Sequence, residues 1–330
     1  VVDAEGGSIT ISSTEGVGVS GGSDRSIYST DATLQTSGSG TISVTADATN
    51  NANTGNTWGL DLRTTNIITN SGNINIIGTG GKNSTNSRGI VTAGMNALSS
   101  SGLITLRDTK ASGLDAAGGT YSGFYSYDPA SGYNYFGYDG SSVNSSTSNI
   151  VMELDDFEFV NSTNSYINSS GTFSLKPVGD SFTGPAIVTN LSLNSALSSF
   201  TLGKSSNTAD ITSGSAVSIA GPISFYGGDI NINANLTTTT TNSGISLIAS
   251  GSITETGSSA ITLTTGSDSV TGGNVLLASD SDNSSNGRIG FYDGFTVNTH
   301  GGNITLGGGN SSGSGYAIGT SSVVHTEGIR

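Results

Sequence analysis

The stretch GGNITLGGG at residues 301–309 has close relatives along the whole chain: GSITI at 7–11, GTISV at 40–44, GNINI at 72–76, GLITL at 102–106 and GISLI at 244–248. Each sets a glycine beside a short burst in which aliphatic and small polar residues alternate. Alternation with a period of two over three to five residues is the mark of a short strand with one face buried. The glycine before it supplies a sharp corner.

Working outward from these bursts, three consecutive stretches align: RSIYSTDATLQTSGSGTISVTAD from 25, WGLDLRTTNIITNSGNINIIGTG from 58 and SRGIVTAGMNALSSSGLITLRDT from 87. Their Gly-x-Ile-x-Leu signals are 32 and then 30 residues apart. Each unit holds three apolar pieces, Ile27–Leu34–Ile42 in the first and Leu60–Ile67–Ile74 in the second, with the middle piece weakened to Ala97 in the third. A late unit from 288 repeats the scheme with Ile289, Val297 and Ile304. Three short strands per unit, separated by runs rich in Gly, Asn and Thr, describe one turn of a solenoid whose turns hydrogen-bond to one another. Apolar periodicity of the helical kind is absent, which excludes long helices.

Composition agrees with a thin, stacked structure. Glycine accounts for 50 of the 330 residues, hydrophobic residues for 33% and charged residues for only 10%. A single turn with so few inward side chains cannot offset its conformational entropy, so stability must be collective. The net charge of −14, with only 10 scattered Lys and Arg, excludes phosphate-backbone recognition, and no nucleic-acid partner is expected. The chain has no cysteine, hence no disulfide or thiolate-metal staple. No apolar run reaches the roughly 18 residues of a membrane helix, so membrane insertion is not expected.

The expected fold is therefore all-β, a right-handed parallel β-helix with three short strands per turn. We expect one continuous solenoid over 1–330: regular turns over 1–106, irregular turns over 107–200 with an aromatic insertion at 120–140, and regular turns over 201–330. Residues 315–330 supply a first strand at Ile318 and a second at Val324, so the repeat is expected to continue past the C-terminus. The rungs VNTHGGNITLGGG at 297–309, VDAEGGSITIS at 2–12 and SRGIVTAGMNALSSSGLITL at 87–106 resemble those of filamentous-haemagglutinin-like exoproteins and related large bacterial surface adhesins. The resemblance covers about two thirds of the chain and is faint over 120–200. It implies an exported cell-surface protein used for attachment or as a stalk, and it supplies no catalytic residues.

One segment departs from the pattern. YSGFYSYDPASGYNYFGYDG at 121–140 concentrates Tyr121, Phe124, Tyr125, Tyr127, Tyr133, Tyr135, Phe136 and Tyr138, with Asp128 and Asp139 as hydroxyl acceptors. Two readings stay open: an exposed platform that stacks on sugar rings or partner side chains, or a loop that folds its own aromatic cluster over one face. VMELDDFEFV at 151–160 gathers Glu153, Asp155, Asp156 and Glu158 in one strand-like run, read as a solvated acidic face in preference to paired catalytic carboxylates. SDSDNSSNG at 279–287 places Asp280 and Asp282 as weak calcium candidates, without the glycine and terminal glutamate of an EF-hand loop. GVGVSG at 16–21 matches a dinucleotide fingerprint with no helix to follow it and is discarded. No cofactor is expected other than that weak calcium site, and the two histidines, His300 and His325, stand apart.

The expected function is that of a non-catalytic structural or adhesive solenoid segment at the cell surface. Its expected partners are further repeats or copies end to end, and a surface glycan or receptor. A filament or sheath subunit and a polysaccharide-binding or -cleaving β-helix enzyme are the alternatives.

Overall fold

A computed structural model describes residues 1–14, 23–51, 55–81, 86–109, 120–121, 123–126, 133–160, 165–255, 260–284, 287–291 and 294–308. The GVGVSG stretch, Asp128, Tyr127, His325 and the C-terminal strands expected at Ile318 and Val324 lie outside these residues. Among the described residues there is no helix, and every ladder between strands is parallel. The fold is a right-handed parallel β-helix. By contacts the chain divides into two compact units, Val1–Val178 with Asn190–Asn194, and Gly179–Thr189 with Ser195–Arg330.

In the first unit three parallel sheets form three faces, and successive strands visit them in rotation. The inward column of the second face runs Ile9, Ile42, Ile74, Ile104, Ile150, Phe173, with Ile11, Val44, Ile76, Leu106, Met152, Leu175 beside it. From Ile42 and Val44 onward these side chains are almost completely buried. The first face stacks Val2, Leu34, Ile67, Ala97, Phe136 and Ile167 in register. The third stacks Ile27, Leu60, Ile90, Phe124 and Phe157. All three apolar pieces read from the sequence thus fall on equivalent rungs.

The aromatic segment does not interrupt this scheme. Phe124–Ser126 pairs with Ile90–Thr92 on the third face, and Asn134–Gly137 with Asn96–Leu98 on the first. Phe136 lies over Ala97, so the weakened rung of the third unit is filled by the larger ring of the next. Small against large across neighbouring turns keeps the interior close-packed. The insertion lengthens a turn, Ile104 to Ile150 being 46 residues, while the ladder carries on.

The second unit has the same three-faced logic with leaner turns. Its columns include Phe200, Ile223, Ile245, Val275, Ile304 and, two residues on, Leu202, Phe225, Leu247, Leu277, Leu306. Two shorter sheets run through Ile211, Ile230, Ile253, Ile289 and through Val217, Leu236, Leu263, Val297. Here most turns use strands of two to five residues, whereas the longest strands of the first unit have eight.

Before Ile42, Ile74 and Ile104 a corner glycine sits two residues ahead of the rung, and close approach is what requires it. A Cβ on Gly40 would stand 1.9 Å from the carbonyl oxygen of Gly7, one on Gly72 2.0 Å from that of Gly40, and one on Gly102 1.8 Å from that of Gly72. In GISLI the equivalent corner is Ser243, the glycine lying one place later. Inside the same corner runs a column of buried hydroxyls, Thr36, Thr69 and Ser99. Thr69 Oγ1 accepts the Gly72 N–H at 2.6 Å and Ser99 Oγ that of Gly102 at 2.9 Å. In the second unit Thr238 and Thr265 donate to the carbonyls of Ser243 and Gly273, each at 2.7 Å. Buried backbone groups that the bend removes from the ladder are thereby paired.

Candidate aromatic recognition surface

The solenoid separates the aromatic residues of 121–140 by the pleat of each strand. Phe124 and Phe136 are fully buried in the core columns, so neither belongs to an exposed platform. They alternate with outward neighbours because successive strand residues point to opposite sides. Tyr135, next to Phe136, projects outward and its register partner one turn on is Tyr166. The two rings stack at 5.0 Å between centroids, 18° apart. Tyr133, 49% exposed, meets Tyr166 edge-on at 5.5 Å and Tyr135 at 6.3 Å. Burial, reinforced by the neighbouring Tyr166 and Tyr133, raises the Tyr135 phenol above its ordinary value, so it is neutral at physiological pH.

The remaining members fall elsewhere. The Tyr138 hydroxyl accepts a hydrogen bond from Asn194 Nδ2 at 2.8 Å, and its carbonyl takes one from Asn168 Nδ2. Tyr121 lies in a short strand paired with Asn86–Ser87. Asp139 is not a free acceptor: its Oδ1 accepts the N–H groups of Ser141, Ser142 and Val143, and its Oδ2 the Ser141 hydroxyl. Burial opposes its ionisation, but these bonds outweigh burial and hold the carboxyl below the usual range. It closes a tight turn.

Tyr125 joins a second group on the third face. Arg25, Trp58 and Arg88 are register partners on three successive turns. The Arg25 guanidinium lies 4.8 Å from the Trp58 ring, that of Arg88 5.6 Å from the same ring and 3.4 Å from the Tyr125 ring. Beside them Asp61, with no exposed side-chain surface, forms an ion pair with Arg25, its Oδ2 2.5 Å from Nε, and its Oδ1 accepts a hydrogen bond from Arg63 Nε at 2.9 Å. Tyr28, 52% exposed, lies within cation–π range of Arg25 and Arg63. Burial lowers the Arg88 guanidinium from its ordinary value, against the raising influence of Tyr125, Glu158 and Asp61. This ladder consumes the ring faces of Trp58, so it binds turn to turn and offers little open aromatic surface.

The acidic run does not form one strand. The chain turns between Ile150–Glu153 on the second face and Phe157–Phe159 on the third. Glu153 sits between its register partners Arg107 and Lys176, at 3.6 and 3.2 Å. At the corner Asp155 Oδ1 accepts the Val178 N–H and Asp156 Oδ1 that of Phe157. Of the calcium candidates, Asp280 is buried and accepts from the Ser284 hydroxyl, while the exposed Asp282 accepts the Ser284 N–H. Among the described residues no three His, Asp or Glu side chains gather as a metal site. His300 Nδ1 lies 2.9 Å from the Thr265 carbonyl and Nε2 3.5 Å from Asp268.

Sequence reading missed Tyr166, Tyr28 and the arginines. The signal was present: Arg25, Trp58 and Arg88, and likewise Tyr135 and Tyr166, recur at about the spacing of the repeat. Among the described residues, Tyr133, Tyr135 and Tyr166 are an outward group of three tyrosines in mutual ring contact; Tyr28 is also exposed, and Phe291 and Phe295, both half-buried, stack at 3.8 Å. Protein-family models give no match to the chain, and comparisons with curated proteins and with solved structures give no significant match.

Proposed function

We propose that this chain is a non-catalytic, adhesive segment of an exported surface protein, of the kind seen in filamentous-haemagglutinin-like exoproteins. The observation that carries the reading is the Tyr133–Tyr135–Tyr166 group. It stands on the outer side of a stacked sheet, its rings held by each other and by a rigid backbone register. Tyrosines presented this way offer large amphipathic contact area at small entropic cost. Hexopyranose rings, with an apolar face and a polar rim, suit such a surface, and glycan is the ligand class proposed. The polar, cysteine-free, acidic composition supports an extracellular setting. Glu153 holds two of the solenoid's own cations, and Asp155 and Asp156 its N–H groups, which favours the non-catalytic reading over a polysaccharide-cleaving enzyme.

The test is a glycan array probed with the chain and with a variant carrying Tyr133→Ser, Tyr135→Ser and Tyr166→Ser. Binding to a defined glycan class is expected, lost in the variant while β-type circular dichroism and melting are retained. Binding that survives the triple change refutes the assignment of the surface. Release of new reducing ends from a bound polysaccharide refutes the non-catalytic reading.

A further inference from the structure

Tyr135 and Tyr166 stand out in chemistry as well as in exposure. Among the register pairs of the described residues they are the one tyrosine–tyrosine pair. Their rings are nearly parallel at 5.0 Å and lie on adjacent turns whose backbones are held by the ladder. A third phenol, Tyr133, is half exposed and in ring contact with both. The chain contains no cysteine, so a disulfide cannot join one turn to the next. On this outward column two phenols hold the position that a disulfide would need.

We propose that Tyr135 and Tyr166 form an oxidative cross-linking site, in which a one-electron oxidant joins the two turns through a dityrosine bond. The co-reactant is hydrogen peroxide acting through a haem peroxidase. Each phenol gives up one electron and one proton, and the peroxide takes both pairs and leaves as two waters. The two phenoxyl radicals couple at ring carbons ortho to oxygen, where spin density is high, and one C–C bond forms. Each ortho hydrogen then moves to its own oxygen, restoring both phenols, so the product is the chain less two hydrogens. Prior alignment makes the coupling effectively unimolecular, which favours it over encounters between molecules. Half-exposed Tyr133 gives the oxidant access, and hole transfer between touching rings delivers the radical to the stacked pair. The link ties Tyr135 to Tyr166 and restricts the unfolded chain as any cross-link does. This inference is independent of glycan recognition, because it needs only the ring geometry.

The experiment treats the dilute 330-residue chain with peroxidase and limiting peroxide. Dityrosine fluorescence and intact mass are followed, and the link is located by digestion and tandem mass spectrometry. We expect a monomer lighter by two hydrogens, a dominant Tyr135–Tyr166 linked peptide, and a rise in melting midpoint. Tyr135→Phe and Tyr166→Phe, which keep the rings and the fold, should each abolish that peptide and the rise, whereas Tyr133→Phe, which removes the relay and neither coupling partner, should slow formation of the same peptide without shifting the link elsewhere. Links scattered over other tyrosines, covalent dimers as the main product, or undiminished fluorescence in Tyr166→Phe would each overturn the proposal.

Discussion

Replacing Gly102 by alanine tests the corner logic most directly. The new Cβ would lie 1.8 Å from the Gly72 carbonyl oxygen, where real side chains keep at least 3.0 Å. The turns must therefore part at this corner by about 1.2 Å. Two ladder bonds cross it, Ser100 N–H to Asn70 O and Ile74 N–H to Leu103 O, both 2.9 Å. A shift of that size breaks them, and at a corner whose Asn70 and Leu103 are exposed each lost bond costs about 0.5–1.5 kcal/mol. Strain around the inserted methyl adds about 1–3 kcal/mol. The expected loss is about 2–6 kcal/mol, read as a lower urea midpoint by circular dichroism and as faster amide exchange at Ser100 and Ile74. Gly6→Ala is the control, since nothing lies within 4 Å of its Cβ position, and it should change stability by no more than about 0.5 kcal/mol. Equal midpoints for the two variants would show that the corner glycines are not kept by contact between turns.

Ile74→Asp buries an unpaired carboxylate in a column with no exposed surface and should abolish the folding transition, whereas exposed Asn73→Asp keeps an oxygen for the Leu103 N–H and should be nearly silent. Equal effects would place the pleat one residue out of phase. Asp61→Ala leaves Arg25 and Arg63 without their shared buried partner; because both guanidiniums retain some exposure, we expect about 2–4 kcal/mol of destabilisation in urea melts, and a loss below about 0.5 kcal/mol would refute a structural role. The depressed Asp139 carboxyl stabilises its turn above the unfolded aspartate value of about 3.9, and that contribution is lost as the pH falls through the lower folded value. Amide protection at Ser141–Val143, corrected for intrinsic exchange, should therefore decline at strongly acidic pH in the wild type, and a flat profile would contradict the assigned bonds.

The rungs were legible because each carries its own local signature, apolar alternation beside a corner residue, and because the signature recurs. Ile27, Leu34 and Ile42, read as three pieces of one turn, sit on three faces, and each lies in register with its counterpart in the next turn, Leu60, Ile67 and Ile74. What escaped the sequence depends on contact between turns. The aromatic segment read as an interruption because clustered aromatics stand where the other rungs carry aliphatic residues; only the register shows Phe136 completing the rung that Ala97 leaves small. Five consecutive residues, Tyr133 to Gly137, divide between an outer tyrosine surface and a buried phenylalanine, a division set by the pleat and invisible to a count of aromatics. The acidic run misled for the opposite reason: proximity in sequence suggested one face, but a corner at Leu154–Asp156 sends Glu153 and Glu158 to different sheets. Hydroxyls such as Thr69 and Ser99 could not be told from the many surface Ser and Thr, since their burial follows from the bend and leaves no mark in periodicity. In a stacked fold each side chain has two sets of neighbours, one in its own strand and one in the turns above and below. The core is written mainly in the first set. Tyr135 on Tyr166, and Trp58 between two arginines, are written in the second, so a search for function here must compare residues one turn apart.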